Sequence, residues 1–416
     1  MLLGLGTFYS YSHLTLIVLT FVLAIHSCIA LERHGTLSSA KLSQTLLQIL
    51  EEYYSSLNPD IAIYNSVLNA FARAAKEESD PRLSLASAQR ADGLLCKLLR
   101  QDQAEIPRPN EYSFLLVINA WSNAASSAAA LSFVDGNNAA QNAEILLKRL
   151  QMQTVGINKA TIACYGAVIR TWASLGQSER SLCLLEEMVD MSDRTLLLDP
   201  IHFNAVFDVC ARDLASETDL TKVMSKLSRI HKILVQMESS SEYHSINVEP
   251  DTSSFNQVIR ACYSPWTTPR GVQDDESIRQ TALDIAHDCY TRMSKDYNSP
   301  HRPDAHTYAH MFKAVACLTP SLNITESTSE KYVLCKTIFH ACCRDGHLTK
   351  SSLWTLRKML SHGDEFVTLI LSEMDNQGNL NKEKLLVMPD DSLFVSLPGE
   401  WSRNGRKHNA LNRHRQ

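Results

Sequence analysis

One helical pattern recurs six times along the chain, and it limits the fold more than any other feature of the sequence. Each copy places an aromatic residue before apolar residues three, four and seven positions later, a spacing that brings all four onto one face of an α-helix. The copies lie 38 to 53 residues apart and are centred on Tyr64, Phe114, Tyr165, Phe203, Phe255 and Tyr308. The pattern predicts six amphipathic helices, which we call the A helices.

A second amphipathic stretch follows each A helix, and we call these stretches the B helices. They cover residues 91–99, 143–152, 182–188, 230–237, 282–293 and 333–343, and residues 42–50 resemble the B helix of an incomplete first unit. Polar segments with helix breakers, at 77–81, 135–138 and 264–271, are expected to be surface loops. An amphipathic helix pair buries its apolar face by stacking on neighbouring pairs. The sequence therefore predicts an all-α fold, an α-solenoid of helix-turn-helix repeats.

The length of the chain agrees with an elongated repeat. Its 416 residues exceed the roughly 250–300 at which single hydrophobic cores stop growing. We predict a targeting segment over residues 1–30 and, over residues 31–360, a solenoid of about six two-helix repeats preceded by an incomplete unit. A C-terminal extension over residues 361–416 ends in a basic tail. Because residues 403–415 carry five Lys or Arg and no acidic residue, the tail is expected to be a solvated end, with non-specific phosphate contacts as the alternative.

The first thirty residues have the composition of a signal segment. They contain no Asp, Glu, Lys or Arg, and the apolar run over residues 14–25 is shorter than the ~20 residues that span a bilayer. Small residues at 28 and 30 suit cleavage after Ala30, so a signal peptide is predicted and an uncleaved membrane anchor is the alternative.

The cysteines indicate a reducing compartment for the folded part. Their number is odd, eleven, and none forms a CxxC pair, so a disulfide framework is not expected. Cys342 and Cys343 lie near His347, but no second ligand pair has the spacing of a zinc site, and we expect them to pack in a helix. A secretory-type leader on a reduced body suggests a two-part plastid address. A plastid is therefore favoured, with a mitochondrion or membrane anchoring as alternatives.

The turns that precede the A helices narrow the type of repeat. Pro59-Asp60, Pro250-Asp251 and Pro303-Asp304 each stand just before an A-helix aromatic, and one compact unit runs from Tyr165 to Met188. Together with the apolar pattern, these turns resemble the pentatricopeptide repeat (PPR) family over about residues 40–345. The long insertions between helices resemble a branch found in diatom-like algae. The resemblance implies a right-handed solenoid that binds single-stranded RNA, one base per repeat.

In that family, two residues of each repeat read a base: the one after the A-helix aromatic and the last one before the next A helix. The first lies about 100° round the helix from the aromatic, off the buried stripe. Carried over to this chain, the base-reading pairs are Asn65 with Asn110, Asn204 with Asp251, and Asn256 with Asp304. Asn–Asp is the family's uracil-preferring pair, so the last two imply a U-U reader and the first a pyrimidine.

Half of the array departs from this reading pattern. The residue after the aromatic is Leu115, Gly166 or Ala309 in the other three units, and none of these side chains can hydrogen-bond a base. The asparagines also have an alternative, structural explanation, because an amide near a helix start is favoured for its bonds to that start.

Phosphate contacts would come from cations near the same helix face. The candidates lie five or nine residues after the aromatic and are Arg73, Arg170, Arg212, Arg260 and Lys313. Because nucleic-acid affinity depends largely on neutralised phosphates, a net charge of -5 predicts modest RNA affinity with a steep salt dependence.

No sequence motif indicates catalysis. The chain has no GxxxxGK[ST], HExxH or GxSxG, and the HxE…PCxxC pattern of zinc deaminases is missing from the 56 residues after Leu360. We expect no enzyme activity, no cofactor and no small-molecule substrate. The leading hypothesis is a sequence-selective RNA-binding protein of an organelle that acts in transcript stabilisation, processing or translation. The alternative is a protein-binding solenoid that scaffolds an organellar complex through its concave face.

Overall fold

A computed structural model of the 416-residue chain describes residues 37–53, 59–100, 107–153, 159–191, 199–238, 248–267, 275–295, 301–319, 330–360, 363–374 and 388–404. Every regular element in these ranges is helical, with sixteen α-helices, two 3₁₀ helices and no strand. The predicted all-α class is confirmed. The predicted leader over residues 1–30 lies outside the described residues.

The α-helices are numbered here in chain order. They are α1 (Leu37–Tyr53), α2 (Ile61–Glu77), α3 (Pro81–Leu98), α4 (Glu111–Ala128), α5 (Phe133–Gln153), α6 (Lys159–Ser174), α7 (Ser178–Met191), α8 (Pro200–Leu214), α9 (Leu220–Glu238), α10 (Thr252–Tyr263), α11 (Glu276–Lys295), α12 (Ala305–Leu318), α13 (Glu330–Arg344), α14 (Lys350–Met359), α15 (Gly363–Glu373) and α16 (Asp390–Ser396). The even-numbered helices from α2 to α12 are the six predicted A helices, and the odd-numbered ones from α3 to α13 contain the six predicted B stretches. The stretch at 42–50 lies in α1.

The turn residues before the A helices are their N-caps. In α2, α4, α10 and α12, a side-chain oxygen of the cap accepts a hydrogen bond from the backbone N–H three residues later. The four caps are Asp60, Asn110, Asp251 and Asp304. Each such cap stabilises its helix by about 0.5–2 kcal/mol, which explains why the Pro-Asp or Pro-Asn turn recurs with the repeat.

One predicted loop is wrong. Residues 135–138 lie inside α5, because Ser132 starts this helix by accepting a hydrogen bond from the Asp135 N–H at 3.1 Å. Gly136 lets the new helix approach α4 closely, since a Cβ there would stand 3.1 Å from the Ala129 Cα. The break predicted at 77–81 is confirmed, with α2 ending at Glu77 and α3 beginning at Pro81. Of the third segment, residues 264–266 form a 3₁₀ turn, and residues 268–271 lie outside the described residues.

The chain divides into two compact units, residues 1–198 and residues 199–416. In the first unit, α4 packs between α2 and α6, and each A helix also packs against the B helix that follows it. The aromatic residues Tyr64, Phe114 and Tyr165 at the centre of these helices are 1% exposed or less. The core of this unit therefore lies along the predicted apolar stripes.

The second unit repeats this arrangement and adds an A helix that the sequence pattern did not predict. Here α8, α10 and α12 pack side by side in order, and α14 packs against α12 in the same way. Helix α14 has Thr349 as its N-cap, and four residues later the fully buried Leu353 stands where the other A helices have an aromatic. The predicted boundary at residue 360 falls between α14 and α15, the helix that follows it.

Part of the predicted C-terminal extension packs back on the second unit. Trp401 meets Phe339 of α13 edge to face, with ring centroids 5.8 Å apart. Its carbonyl oxygen accepts a hydrogen bond from the Leu348 N–H at 2.8 Å. Gly346, with φ of 71°, forms the turn that receives this segment. The rest of the basic tail, from residue 405, lies outside the described residues.

The cysteine pair after residue 341 is part of this packing. Cys342 and Cys343 of α13 are at most 3% exposed, and burial raises the pKa of both thiols. Among the described residues, no three His, Cys, Asp or Glu side chains form a group that could hold a metal ion. No helix in the described part of the chain is long and apolar enough to cross a membrane.

Candidate nucleic-acid interface

The residues predicted to read bases meet in pairs where consecutive A helices pack together. In each pair, the Nδ2 amide of the asparagine on one A helix donates a hydrogen bond to the N-cap side chain of the next A helix. The donor–acceptor distances are 3.4 Å for Asn65 with Asn110, 3.1 Å for Asn204 with Asp251, and 3.2 Å for Asn256 with Asp304. All three predicted pairs are therefore in contact in the structure.

The repeat register explains why these residues meet. Each asparagine lies five residues after the N-cap of its own helix, on the side that faces the start of the next A helix. The cap oxygen then accepts two kinds of hydrogen bond, one from its own helix backbone and one from the amide of the preceding A helix. A Ser or Thr three residues after the cap completes each group, and these residues are Ser113, Ser254 and Thr307. We call each group of asparagine, N-cap and Ser or Thr a capping triad.

The third capping triad differs from the other two in its hydrogen bonding. Ser113 and Ser254 each donate from Oγ to the asparagine Oδ1 at 2.7 Å. Thr307 instead donates from Oγ1 to Asp304 at 3.0 Å. The buried Oδ1 of Asn256 is consequently left without a hydrogen-bond partner among the described residues. A buried acceptor in this state costs about 1–3 kcal/mol of stability.

Exposure separates the three asparagines. Asn65 and Asn256 are only 8% exposed, because the start of the next A helix covers them. The expectation that this position lies off the buried surface is therefore wrong for these two, and their amides bond helix starts, as the structural alternative requires. Asn204 is half-buried and its partner Asp251 is exposed. The Asn204 Nδ2 donates to both carboxylate oxygens of Asp251, at 3.1 and 3.3 Å. Since an amide oxygen can accept two hydrogen bonds, Asn204 Oδ1 keeps one lone pair beyond its bond from Ser254.

The equivalent positions in the other A helices carry no hydrogen-bonding side chain, except in the helix that the sequence pattern missed. Leu115 and Ala309 are half-buried and Gly166 is buried. In α14 the position five residues after the cap Thr349 is Trp354, which is 54% exposed. The sequence signal for this helix is the spacing from the Thr349 cap to Trp354, with Leu353 in place of the aromatic.

Three of the five predicted phosphate-contact residues form ion pairs with carboxylates of the described chain. Arg73 pairs with Glu77 on its own helix at 3.7 Å. Arg212 and Arg260 both pair with the carboxylate of Asp208. Arg260 reaches it from α10, whereas Arg212 and Asp208 both lie on α8. This carboxylate offsets much of the positive charge of the two arginines.

The other two candidates, Arg170 and Lys313, are both exposed. Arg170 lines a shallow cleft with Asn119 and Asn123 in the first unit. No carboxylate among the described residues lies within ion-pair distance of Lys313 in the second unit. Arg212 of the paired group is exposed as well, so three of the five predicted cations are accessible to a ligand.

The charges around α10 and α12 shift the pKa values of nearby groups. Burial, together with the positive charges of Lys313 and Arg260, lowers the pKa of His310 to about 4. Burial alone would raise the pKa of Asp304, but hydrogen bonds from Thr307 and Asn256 outweigh it and hold the pKa below its ordinary value. Asp304 is therefore an anion at neutral pH, which makes it a strong acceptor for the Asn256 amide.

Comparison with known proteins adds no relative: no protein-family model matches the sequence, and no curated protein matches it significantly.

Proposed function

We propose that this chain is a PPR-type right-handed α-solenoid that binds single-stranded RNA in an organelle and acts in transcript stabilisation, processing or translation without catalysis of its own. The target would be a stretch rich in uracil or other pyrimidines. The observation that carries the proposal is the Asn204–Asp251 pair, whose two hydrogen-bonding side chains lie together at an accessible edge of the A helices.

Several features support RNA as the ligand. The Asn204 amide is held in place by Ser254 at 2.7 Å and by Asp251 at 3.1 Å, so its orientation is fixed before a base arrives. The remaining lone pair of its Oδ1 can accept a hydrogen bond from the N–H on the Watson–Crick edge of uracil. The Asn256 amide likewise donates to the next N-cap, Asp304, at 3.2 Å, and its Oδ1 has no hydrogen-bond partner among the described residues.

A protein-binding scaffold is the second candidate. It is favoured by the ion pairs that Arg212 and Arg260 make with Asp208, because RNA affinity depends on available cations and this carboxylate offsets one of the two charges. It is also favoured by the three A helices whose reading position is Leu, Gly or Ala. In this alternative the capping triads hold consecutive helices together and the exposed helix face binds a partner peptide.

Binding of the purified full chain to U-rich and C-rich oligonucleotides at increasing salt separates the two candidates. We expect the double variant Asn204→Ala/Asn256→Ala to lose affinity for the U-rich strand more than for the C-rich strand. Asn123→Ala is the matched control, since this amide bonds the Ala72 carbonyl oxygen on the preceding A helix and belongs to no triad. Equal losses on both strands would assign the triad amides a structural role. Absence of any binding at ~50 mM salt would favour the scaffold.

The cellular address is a separate part of the proposal. The uncharged apolar segment over residues 1–30 supports entry through a secretory-type leader, and the buried free cysteines support a reducing destination. A fusion of residues 1–45 to a fluorescent protein is expected to enter a plastid. Accumulation in a mitochondrion, or stable retention in a membrane, would replace this destination with one of the two alternatives.

A further inference from the structure

Trp354 differs from the other tryptophans of the chain in its exposure. The chain has five tryptophans, all within the described residues. Trp121, Trp172 and Trp401 are at most 8% exposed, and Trp266 is half-buried. Trp354 is 54% exposed. Burying an indole ring removes a large apolar area from water and stabilises the fold. The exposure of Trp354 therefore calls for an explanation.

The repeat register places Trp354 at the base-reading position of the seventh A helix. It lies five residues after the cap Thr349, as Asn204 lies five residues after its own cap Asp199. Because α14 packs against α12 as α12 packs against α10, the indole continues the line of these positions in the second unit.

Two lysines accompany the indole on the same side of the unit. The Nζ of Lys358 lies 5.2 Å from the centre of the Trp354 ring. Lys313 occupies the same register position on α12, nine residues after its cap. Burial raises the pKa of the Cys317 thiol, and the positive charges of Lys313, Arg279 and Lys358 oppose this rise.

Lys358 and Lys313 differ from the two other cations of α14 in having no acidic partner in the described part of the chain. Lys350 and Arg357 are paired with Asp391 and Asp390 at 2.6 Å. Within the described residues, no carboxylate lies within ion-pair distance of Lys358 or Lys313. The ring is also the sole exposed apolar side chain of α14.

We propose that Trp354 is a stacking platform for one base of a single-stranded RNA, and that Lys358 and Lys313 contact the phosphates on either side of that base. A flat aromatic ring beside unpaired cations fits a nucleotide, which presents a π face and an adjacent negative charge. Such stacking tolerates any base. The platform thus anchors the strand without selecting a base. It lies on the A helix after α12, whose own reading position, Ala309, cannot hydrogen-bond a base. This inference rests on the proposed RNA-binding function.

Tryptophan fluorescence of the full chain tests the platform directly. Adding a single-stranded oligouridylate is expected to quench the emission of the wild type, and Trp354→Phe is expected to abolish that quenching. Trp401→Phe is the matched control, because Trp401 is buried against Phe339, and quenching should persist in it. Trp354→Ala should weaken binding roughly 5- to 150-fold, the effect of losing one stacked base.

A salt titration tests the lysines. The double variant Lys313→Gln/Lys358→Gln should make the plot of log affinity against log salt shallower by about 1.4, since each single-strand phosphate contact contributes about 0.7. If the wild type binds RNA but Trp354→Ala binds equally tightly, the platform is overturned and the proposed function stands. If the wild type binds no single strand at ~50 mM salt, the proposed function fails and the platform fails with it.

Discussion

Asp304→Ala removes an N-cap of the second unit that also holds a buried amide of the preceding A helix. The Asp304 carboxylate accepts hydrogen bonds from the Thr307 backbone N–H at 2.8 Å, from Thr307 Oγ1 at 3.0 Å and from Asn256 Nδ2 at 3.2 Å. The first bond caps α12. The last one joins α10 to α12 and is the sole hydrogen bond of the Asn256 amide among the described residues, since its Oδ1 has no partner.

The expected loss of stability is the sum of two effects. Removing an Asp N-cap costs about 1 kcal/mol. Leaving the buried Asn256 amide with no hydrogen-bond partner adds about 1–3 kcal/mol. We therefore expect Asp304→Ala to lower the free energy of unfolding by about 2–4 kcal/mol. Asp199→Ala is the matched control, because Asp199 caps α8 through the Ile201 N–H and is exposed, and it should cost only about 1 kcal/mol.

Urea denaturation of the full chain, followed by far-ultraviolet circular dichroism, measures both variants. A double-mutant cycle with Asn256→Ala isolates the bond between the two A helices, for which we expect a coupling of about 1 kcal/mol. Equal losses for Asp304→Ala and Asp199→Ala, or additivity of the cycle within about 0.5 kcal/mol, would refute the capping triad as a link between repeats.

Two further predictions concern the second unit. The pKa of His310 falls from 6.5 to about 4 on folding, so the unfolded chain alone gains a proton as the pH drops through this range. The unfolding free energy should therefore be undiminished above pH 6.5 and fall by up to about 3 kcal/mol towards pH 4. His310→Gln should remove this part of the pH dependence in urea titrations, and an unchanged profile would contradict it. Gly346→Ala should destabilise the protein more than Gly176→Ala. Both glycines have positive φ, but only at Gly346 would an added Cβ also clash, since it would stand 2.7 Å from the Cγ of Arg403. The strain alone costs about 1–2 kcal/mol, and limited proteolysis should detect release of the C-terminal segment in Gly346→Ala only.

Local periodicity was sufficient to predict the helices themselves. The six aromatic anchors, the B stretches and the break at 77–81 all depend on spacing within about ten residues, which the sequence displays directly. The loop predicted at 135–138 failed because Gly and Asn were treated as breakers, although Ser132 and Asp135 form a helix start. Helix α14 was missed because its central residue is Leu353, and only its packing against α12 reveals that it is an A helix.

The sequence by itself determined an all-helical chain with a repeated N-cap, and it placed each candidate asparagine at a constant distance from that cap. This followed because helix formation and capping depend on neighbours within one or two turns. Whether an asparagine remains accessible depends on how closely the next A helix approaches, and that is set by side chains about fifty residues away. Tertiary structure alone therefore decided that Asn65 and Asn256 are covered and that Asn204 is half-buried. It also decided that Trp354 continues the line of Asn204 and Asn256 within the second unit.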